Sequence, residues 1–287
     1  MHAMEPPATL RDLIAAPEIL VVPGVYDAFS AFRAQKAGFQ AVFVSGSALA
    51  TMHLARPDIG LLTLTETVDI VGRIAERIDV PLFVDADQGF GNALLVARAV
   101  HVLERAGAAG IQIEDQTETK PASAPLSRPL VDPEVMVDKI KAALDARRDH
   151  ATMISARSDA MTTESFDRAL ERAHLYADAG ADMIFVESLN TRAQMVRLVT
   201  ELGHKVPLLH NFLRPADEVV VAATAAQIGY GMALFPGAVV AAVGQALDDA
   251  FSSLKAAPQT SATSSVPDWV EAGDYVESFQ TGRGKSA

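Results

Sequence analysis

Apolar runs in this sequence end repeatedly on residues able to do chemistry: Ser45-Gly46-Ser47, Asp85-Ala86-Asp87, Glu114-Asp115, Arg157, Glu187 and His210-Asn211. One acidic residue in such a place reads equally well as a helix cap or a solvated loop group, and Asp58 or Asp115 alone carries no more than that. Several together carry more, because Asp85, Asp87, Glu114 and Glu187 brought to one mouth would repel one another or take up protons. A divalent cation resolves the repulsion. With no cysteine in the chain and no paired histidine, the ligands would all be oxygen, which favours Mg²⁺, or Mn²⁺, over Zn²⁺. Arg157 suits a bidentate grip on a carboxylate or phosphonate, and the backbone and hydroxyls of Ser45-Gly46-Ser47 suit a second anionic end. The chemistry that fits is Lewis-acid stabilisation of an enolate or oxyanion while a bond next to a 2-oxo or 2-hydroxy acid breaks.

Something must bring these residues together. Short β-branched runs predict strands at Ile19–Val22, Ala41–Ser45, Leu82–Asp85, Gly110–Glu114, Thr152–Ala156, Met183–Glu187, Pro207–His210 and Met232–Phe235. Amphipathic stretches between them, among them Ala28–Ala37, Leu94–Ala106, Pro133–Arg147, Phe166–Ala179 and Arg192–Leu202, predict helices. Ala37-Gly38-Phe39, Ala106-Gly107-Ala108 and Ala179-Gly180-Ala181 mark one repeated unit, each just before a strand. Continuously apolar strands are buried on both faces, so the reading is an α/β protein, a TIM-type (β/α)₈ barrel over residues 1–255. A doubly wound sheet competes, but no Gly-x-Gly-x-x-Gly follows the first strand. In a barrel, chemistry sits at the C-terminal strand ends, where the polar residues above fall. Residues 256–266 read as a small, polar linker. Residues 267–287 read as a C-terminal helical segment, with Trp269, Val270, Tyr275, Val276 and Phe279 on one face, packed on its own barrel or on a neighbouring subunit.

Composition narrows the partners. The 287 residues include 24 Lys plus Arg against 36 Asp plus Glu, a formal net charge of −12, which gives no footprint for nucleic acid or an anionic membrane. Residues 1–10 lack a basic, then apolar, leader pattern, and the expected location is cytoplasmic. The weakly polar run Gly231 to Gly244 is shorter than a membrane span and contains Pro236. Gly89-Phe90-Gly91-Asn92 reads as a tight turn rather than a phosphate loop. His101 and Glu104 read as solvent-facing, and His210 as a packed or hydrogen-bonded histidine.

Specific motifs then carry a resemblance. Pro23-Gly-Val-Tyr-Asp-Ala28, Ser45-Gly46-Ser47, Val84-Asp-Ala-Asp-Gln-Gly-Phe-Gly-Asn92, Glu104-Arg-Ala-Gly107, Ile113-Glu-Asp-Gln116, Ala156-Arg-Ser-Asp-Ala160 and Ala179-Gly-Ala-Asp182 resemble the isocitrate lyase and phosphoenolpyruvate mutase superfamily over nearly the full length. The resemblance implies a barrel whose last helix is swapped between subunits of a homotetramer, a dimer of dimers. It implies Mg²⁺ at Asp85, with Asp58, Asp87 and Glu114 around it, partly through water. It implies that Ser45, Gly46, Ser47 and Arg157 bind the 2-oxo acid portion, with Tyr26, Glu187 and Asn211 nearby.

The departures are local. Where the lyases carry Lys-Lys/Arg-Cys-Gly-His, this chain has Lys120-Pro121-Ala122-Ser123-Ala124, so the cysteine acid is replaced and Lys120 is its candidate substitute. Gln112 stands for the usual histidine, and Phe212-Leu213 for Thr-Glu. Phe235-Pro236-Gly237 follows the lyases rather than the decarboxylases. The expectation is a Mg²⁺-dependent lyase acting on a C–C bond beside a 2-oxo or 2-hydroxy carboxylate, oxaloacetate decarboxylase-like or methylisocitrate lyase-like. Arg157, Lys120, Glu187 and Asp58 are its catalytic candidates. The alternatives are a phosphonopyruvate-type C–P mutase or hydrolase and a non-catalytic anion-binding relative.

Overall fold

A computed structural model describes residues 8–117, 128–213 and 218–256. The chain divides into two compact units, Met1–Ala242 and Val243–Ala287. In order, the first holds α1 (Leu10–Ala15), β1 (Leu20–Val25), α2 (Ala28–Lys36), β2 (Val42–Val44), α3 (Gly46–Leu54), α4 (Leu64–Arg77), β3 (Leu82–Asp85), α5 (Ala93–Ala106) and β4 (Ala108–Glu114). There follow α6 (Pro133–Ala146), β5 (Met153–Ser158), α7 (Ala160–Thr163), α8 (Phe166–Asp178), β6 (Met183–Val186), α9 (Arg192–Leu202), β7 (Leu208–Asn211), α10 (Ala222–Ile228) and β8 (Met232–Phe235). The last described helix, α11 (Ala238–Ala256), starts in the first unit and continues into the second. The expected 267–287 segment, and the linker beyond Ala256, lie outside the described residues, and with them the subunit swap.

All eight strands pair in parallel and in chain order, and β8 returns to β1 through Leu20↔Met232 to Pro23↔Phe235, so the sheet is a closed barrel. The barrel is filled rather than hollow. Val22, Phe43, Phe83, Met153, Met183, Phe185, Leu209, Met232 and Leu234 form an inner cluster that Leu10 and Ile14 of α1 join. A second apolar layer lies between strands and helices, with Val71, Ile74, Val100, Leu103, Ile140, Tyr176 and Leu198 among its buried members. Buried faces on both sides explain why the strands read as continuous apolar runs.

Helix boundaries follow local chemistry. Thr63 and Glu66 form a reciprocal capping box at the start of α4, as Thr191 and Gln194 do for α9. Gly107 ends α5 at φ 109, a left-handed conformation natural to glycine, and a Cβ there would come within 2.5 Å of Ala75 Cβ. Gly24 answers a different need: a Cβ on it would stand 2.2 Å from the Pro236 carbonyl oxygen, so only glycine lets the turn after β8 close over β1. Glu104, expected in solvent, instead accepts from the Arg148 and Asp149 backbone N–H groups and the Thr152 hydroxyl, tying the loop before β5 to α5.

Candidate active site

A cavity of about 160 Å³ opens at the C-terminal ends of the strands. Ser45 and Ser47 line it from the start of α3, Asp58 from the following loop, Asp85 from β3, Gln112 from β4, Arg157 from β5 and Asp159 just after it, Glu187 and Ser188 just after β6, and Asn211 from β7. Arg128, Thr162, Leu213 and Pro236 complete the rim, over a floor of Phe43, Phe185 and Leu234.

The serine segment is a helix start. β2 ends at Val44, one residue earlier than expected, because Ser45 caps α3. Its hydroxyl accepts from Ala48 N–H at 3.4 Å and lies 3.1 Å from the Ser47 hydroxyl. The N-terminus of a nine-residue helix therefore meets the cavity, where its N–H groups and dipole favour an anion. Gly46 is bound to the acidic side of the same site. Its N–H lies 3.3 Å from Asp85 Oδ2, and a Cβ there would stand 3.2 Å from that oxygen and 3.7 Å from Asp87 Oδ1. Asp87 N–H donates to Asp85 Oδ1 at 3.3 Å from a left-handed backbone, φ 47. Ser188, φ 66, uses the same region to aim its N–H at Glu187 Oε1, 2.9 Å away. Non-glycine residues held there cost about 1–3 kcal/mol each and concentrate at functional sites.

Arg157 is the electrostatic centre. Its Nε and Nη2 donate to the two oxygens of Asp159 at 2.9 and 2.8 Å, while Glu114 Oε2 lies 3.4 Å from Nε and Glu187 Oε2 3.3 Å from Nη2. Burial works against the Arg157 charge, but Asp159, Glu114 and Glu187 outweigh it and hold its pKa well above the ordinary value. Burial pushes Asp159 up as well, yet the adjacent Arg157 charge and its hydrogen bonds keep that carboxyl below its usual range. The fork expected to grip a substrate is thus already held by Asp159. Behind it, Asp115 accepts from Asp159 N–H at 2.9 Å, Ser158 Oγ at 2.7 Å and Tyr176 Oη at 2.8 Å, with Arg172 Nη1 at 3.5 Å. Asp115 is buried, and desolvation raises its pKa.

Of the residues singled out from sequence, Ser45, Ser47, Asp58, Asp85, Arg157, Glu187 and Asn211 line the cavity. Gly46 and Asp87 adjoin Asp85. Glu114 is buried beside Arg157 rather than on the cavity wall. Tyr26 belongs to the core, its carbonyl 2.8 Å from His53 Nε2, and is not a wall residue. Lys120 lies outside the described residues. His210 is packed edge-on against Phe212 and Tyr230, and neither ring nitrogen has a hydrogen-bond partner among the described residues. Asp159, Gln112 and Arg128 were not singled out as site residues. Asp159 and Gln112 could have been read from their places two residues from Arg157 and Glu114, whereas Arg128 had no strand-end signal.

The donor set can be tested against a divalent cation. Among the described residues, four carboxylates and two guanidiniums stand on the wall, an acidic balance for that part of the lining. Gln112 Oε1, buried and without a hydrogen-bond partner among the described residues, is an acceptor facing the same space, where a metal-bound water could donate to it. Among the described residues no three or more His, Asp or Glu side chains converge at coordination distance. The fit is therefore to an ion held by one or two carboxylates and its own waters, the habit of Mg²⁺.

Comparison with known proteins shows what the chain is similar to. A family model described as phosphoenolpyruvate phosphomutase matches residues 10–251. The chain is 38% identical to the 2,3-dimethylmalate lyase of Eubacterium barkeri over 262 residues, 88% of this chain and 87% of that protein. A crystal structure of 2,3-dimethylmalate lyase superposes with a TM-score of 0.87 at 30% identity, covering 97% of this chain and 95% of that one. The 2-methylisocitrate lyase of Aeropyrum pernix is 43% identical over 232 residues, 80% of this chain and 74% of that protein. A phosphonopyruvate hydrolase solved in complex with oxalate and Mg²⁺ gives a TM-score of 0.82 at 27% identity, over 96% of this chain and 97% of that one.

Proposed function

The chain belongs to the phosphoenolpyruvate phosphomutase family, and from that premise we propose that it is a Mg²⁺-dependent lyase that breaks a C–C bond beside a 2-oxo or 2-hydroxy carboxylate. The observation that carries the reading is the meeting, in one cavity, of the α3 N-terminus, Asp85 and Arg157.

Asp85 would hold the ion, with Asp58 and Asp87 reaching it through its waters, and the chemistry the ion would supply is to draw electron density from the 2-oxygen of the substrate. The Ser47 N–H, the α3 dipole and the Ser45 and Ser47 hydroxyls bind and orient the adjacent carboxylate. Arg157, locked by Asp159, presents positive charge where negative charge develops. Glu187, fixed by Asn211 Nδ2 at 2.9 Å and Ser188 N–H at 2.9 Å, takes the proton of a 2-hydroxyl as the C2–C3 electron pair departs on C3. The departing carbon then takes a proton, from Lys120 or from solvent, in place of the acid that Ala122 cannot be. For a 2-oxo diacid that loses CO₂ the same groups serve, and no hydroxyl proton has to move.

The assembly we propose is a homotetramer in the cytoplasm. No described helix is long and apolar enough to cross a membrane.

The test is calorimetric titration with oxalate, which mimics the pyruvate enolate. Wild-type protein should bind it only with Mg²⁺, and Asp85→Ala should weaken that binding at least about 100-fold, as loss of a charged ligand implies. Equal affinity in the variant would defeat the metal assignment. Phosphate release from phosphonopyruvate, without turnover of any diacid, would move the chain to C–P chemistry.

A further inference from the structure

We propose that Arg128 binds the second carboxylate of a dicarboxylate substrate and is the residue that separates diacids from monoacids at this site. The inference rests on the lyase reading above and names the substrate class for the same cavity.

Among the described residues two guanidiniums line the cavity, and they differ in what already holds them. Arg157 is committed: its Nε and Nη2 donate to Asp159, with Glu114 and Glu187 close by. Arg128 makes one hydrogen bond, from Nη1 to the neutral Gln116 Oε1 at 3.2 Å, and no ion pair within 4 Å among the described residues. A guanidinium carries five N–H donors, so four remain for a ligand. Asp159 feels the Arg128 charge, but both its oxygens are already engaged by Arg157.

The backbone at and after Arg128 is fixed. Thr117 N–H donates to the Pro129 carbonyl at 2.8 Å, Val131 N–H to the Asp115 carbonyl at 2.9 Å, and Gln116 pairs with Leu130 in an antiparallel bridge. The Thr163 hydroxyl just past β5 donates to the Arg128 carbonyl itself at 2.8 Å. These contacts plant the residue on the barrel rim between β4 and β5, and the side chain reaches the cavity from there.

Around the rim the two anion-holding positions are separated. The α3 N-terminus serves β2 and Arg128 serves the β4–β5 side, with Asp85 and Gln112 on the strands between them. A monocarboxylate satisfies the first position and leaves Arg128 facing water. A short chain with a carboxylate at each end satisfies both, and the small cavity favours few carbons between them.

The experiment is calorimetry in Mg²⁺ with two ligands, oxalate and 3,3-difluorooxaloacetate, on wild type, Arg128→Gln and Arg128→Lys, with thermal melts to verify folding. Oxalate mimics the pyruvate enolate, its second carboxylate standing for the 2-oxygen end, so it keeps no group for Arg128 and its affinity should stay within about threefold. The diacid should weaken about 10- to 100-fold in Arg128→Gln, the worth of charged hydrogen bonds, and Arg128→Lys should recover part of it, since an ammonium keeps the charge without the fork. Equal losses for both ligands, or none for either, would overturn the assignment of Arg128 while leaving the lyase reading intact. If wild type binds neither ligand with Mg²⁺, the lyase reading fails and this inference falls with it.

Discussion

Arg157 and Asp159, two residues apart, face each other fork to fork: both Asp159 oxygens accept from the same guanidinium, at 2.8 and 2.9 Å. Asp159 therefore sets where the positive charge of the cavity points. In Asp159→Asn one acceptor becomes an NH₂ group aimed at an N–H donor, and the fork must turn. Oxalate affinity should fall about 10- to 100-fold, as the loss of one charge-assisted bond implies. Unchanged affinity would show that Arg157 is oriented by Glu114 and Glu187 alone.

Gly46 offers a separation of stability from binding. Alanine at this first helical position should leave the melting temperature unchanged or slightly higher, because alanine is the better helix former. Its Cβ would crowd Asp85 Oδ2 at 3.2 Å and shift the carboxylate by a few tenths of an ångström. The apparent Mg²⁺ affinity, read from oxalate titrations at graded Mg²⁺, should weaken about tenfold. A lower melting temperature with normal Mg²⁺ affinity is the contrary result.

Asp115 should matter most for folding. Asp115→Ala leaves Arg172 buried with only part of its charge answered, by Glu164 at 2.7 Å, and should cost about 3 kcal/mol in urea denaturation. Asp115→Asn should cost less, because desolvation already disfavours the charged carboxylate there. Equal losses in the two variants would contradict this account.

His210 gives the fold an acid weakness. Burial pulls its pKa down to about 4, from the ordinary 6.5. Above pH 6.5 the ring is neutral folded or unfolded and stability is unaffected. As the pH falls below 6.5 the unfolded chain takes up a proton that the folded one refuses, and stability drains away until about pH 4, by roughly 3 kcal/mol in all. Denaturation of wild type and His210→Phe at several pH values should give curves that diverge across this window. Parallel curves would mean the imidazole does not titrate differently on folding.

Much of this was legible because a barrel turns strand ends into a ring. Asp85, Arg157, Glu187 and Asn211 close apolar runs, and each reaches the cavity. Ser45 looked like the end of a strand and is a helix cap, since the chain turns into α3 without a loop. Tyr26 belongs to a matching motif yet packs in the core, since a motif records a shared local backbone as readily as shared chemistry. Glu114 occupies a strand end but is drawn to Arg157, a competition that only three-dimensional distance resolves. Arg128 could not be found by strand-end logic, because a backbone bridge between Gln116 and Leu130 places it.

The contact of Gly24 with Pro236 ties the timing of folding to competence. The seam where the first and last strands zip together also supplies one side of the pocket, so a nascent chain that has not yet delivered Pro236 has all four described acidic wall residues but no finished site. Ligand should accordingly select the closed ring over every partly zipped intermediate, and a side chain at position 24 would hold the ring ajar where Pro236 lines the cavity.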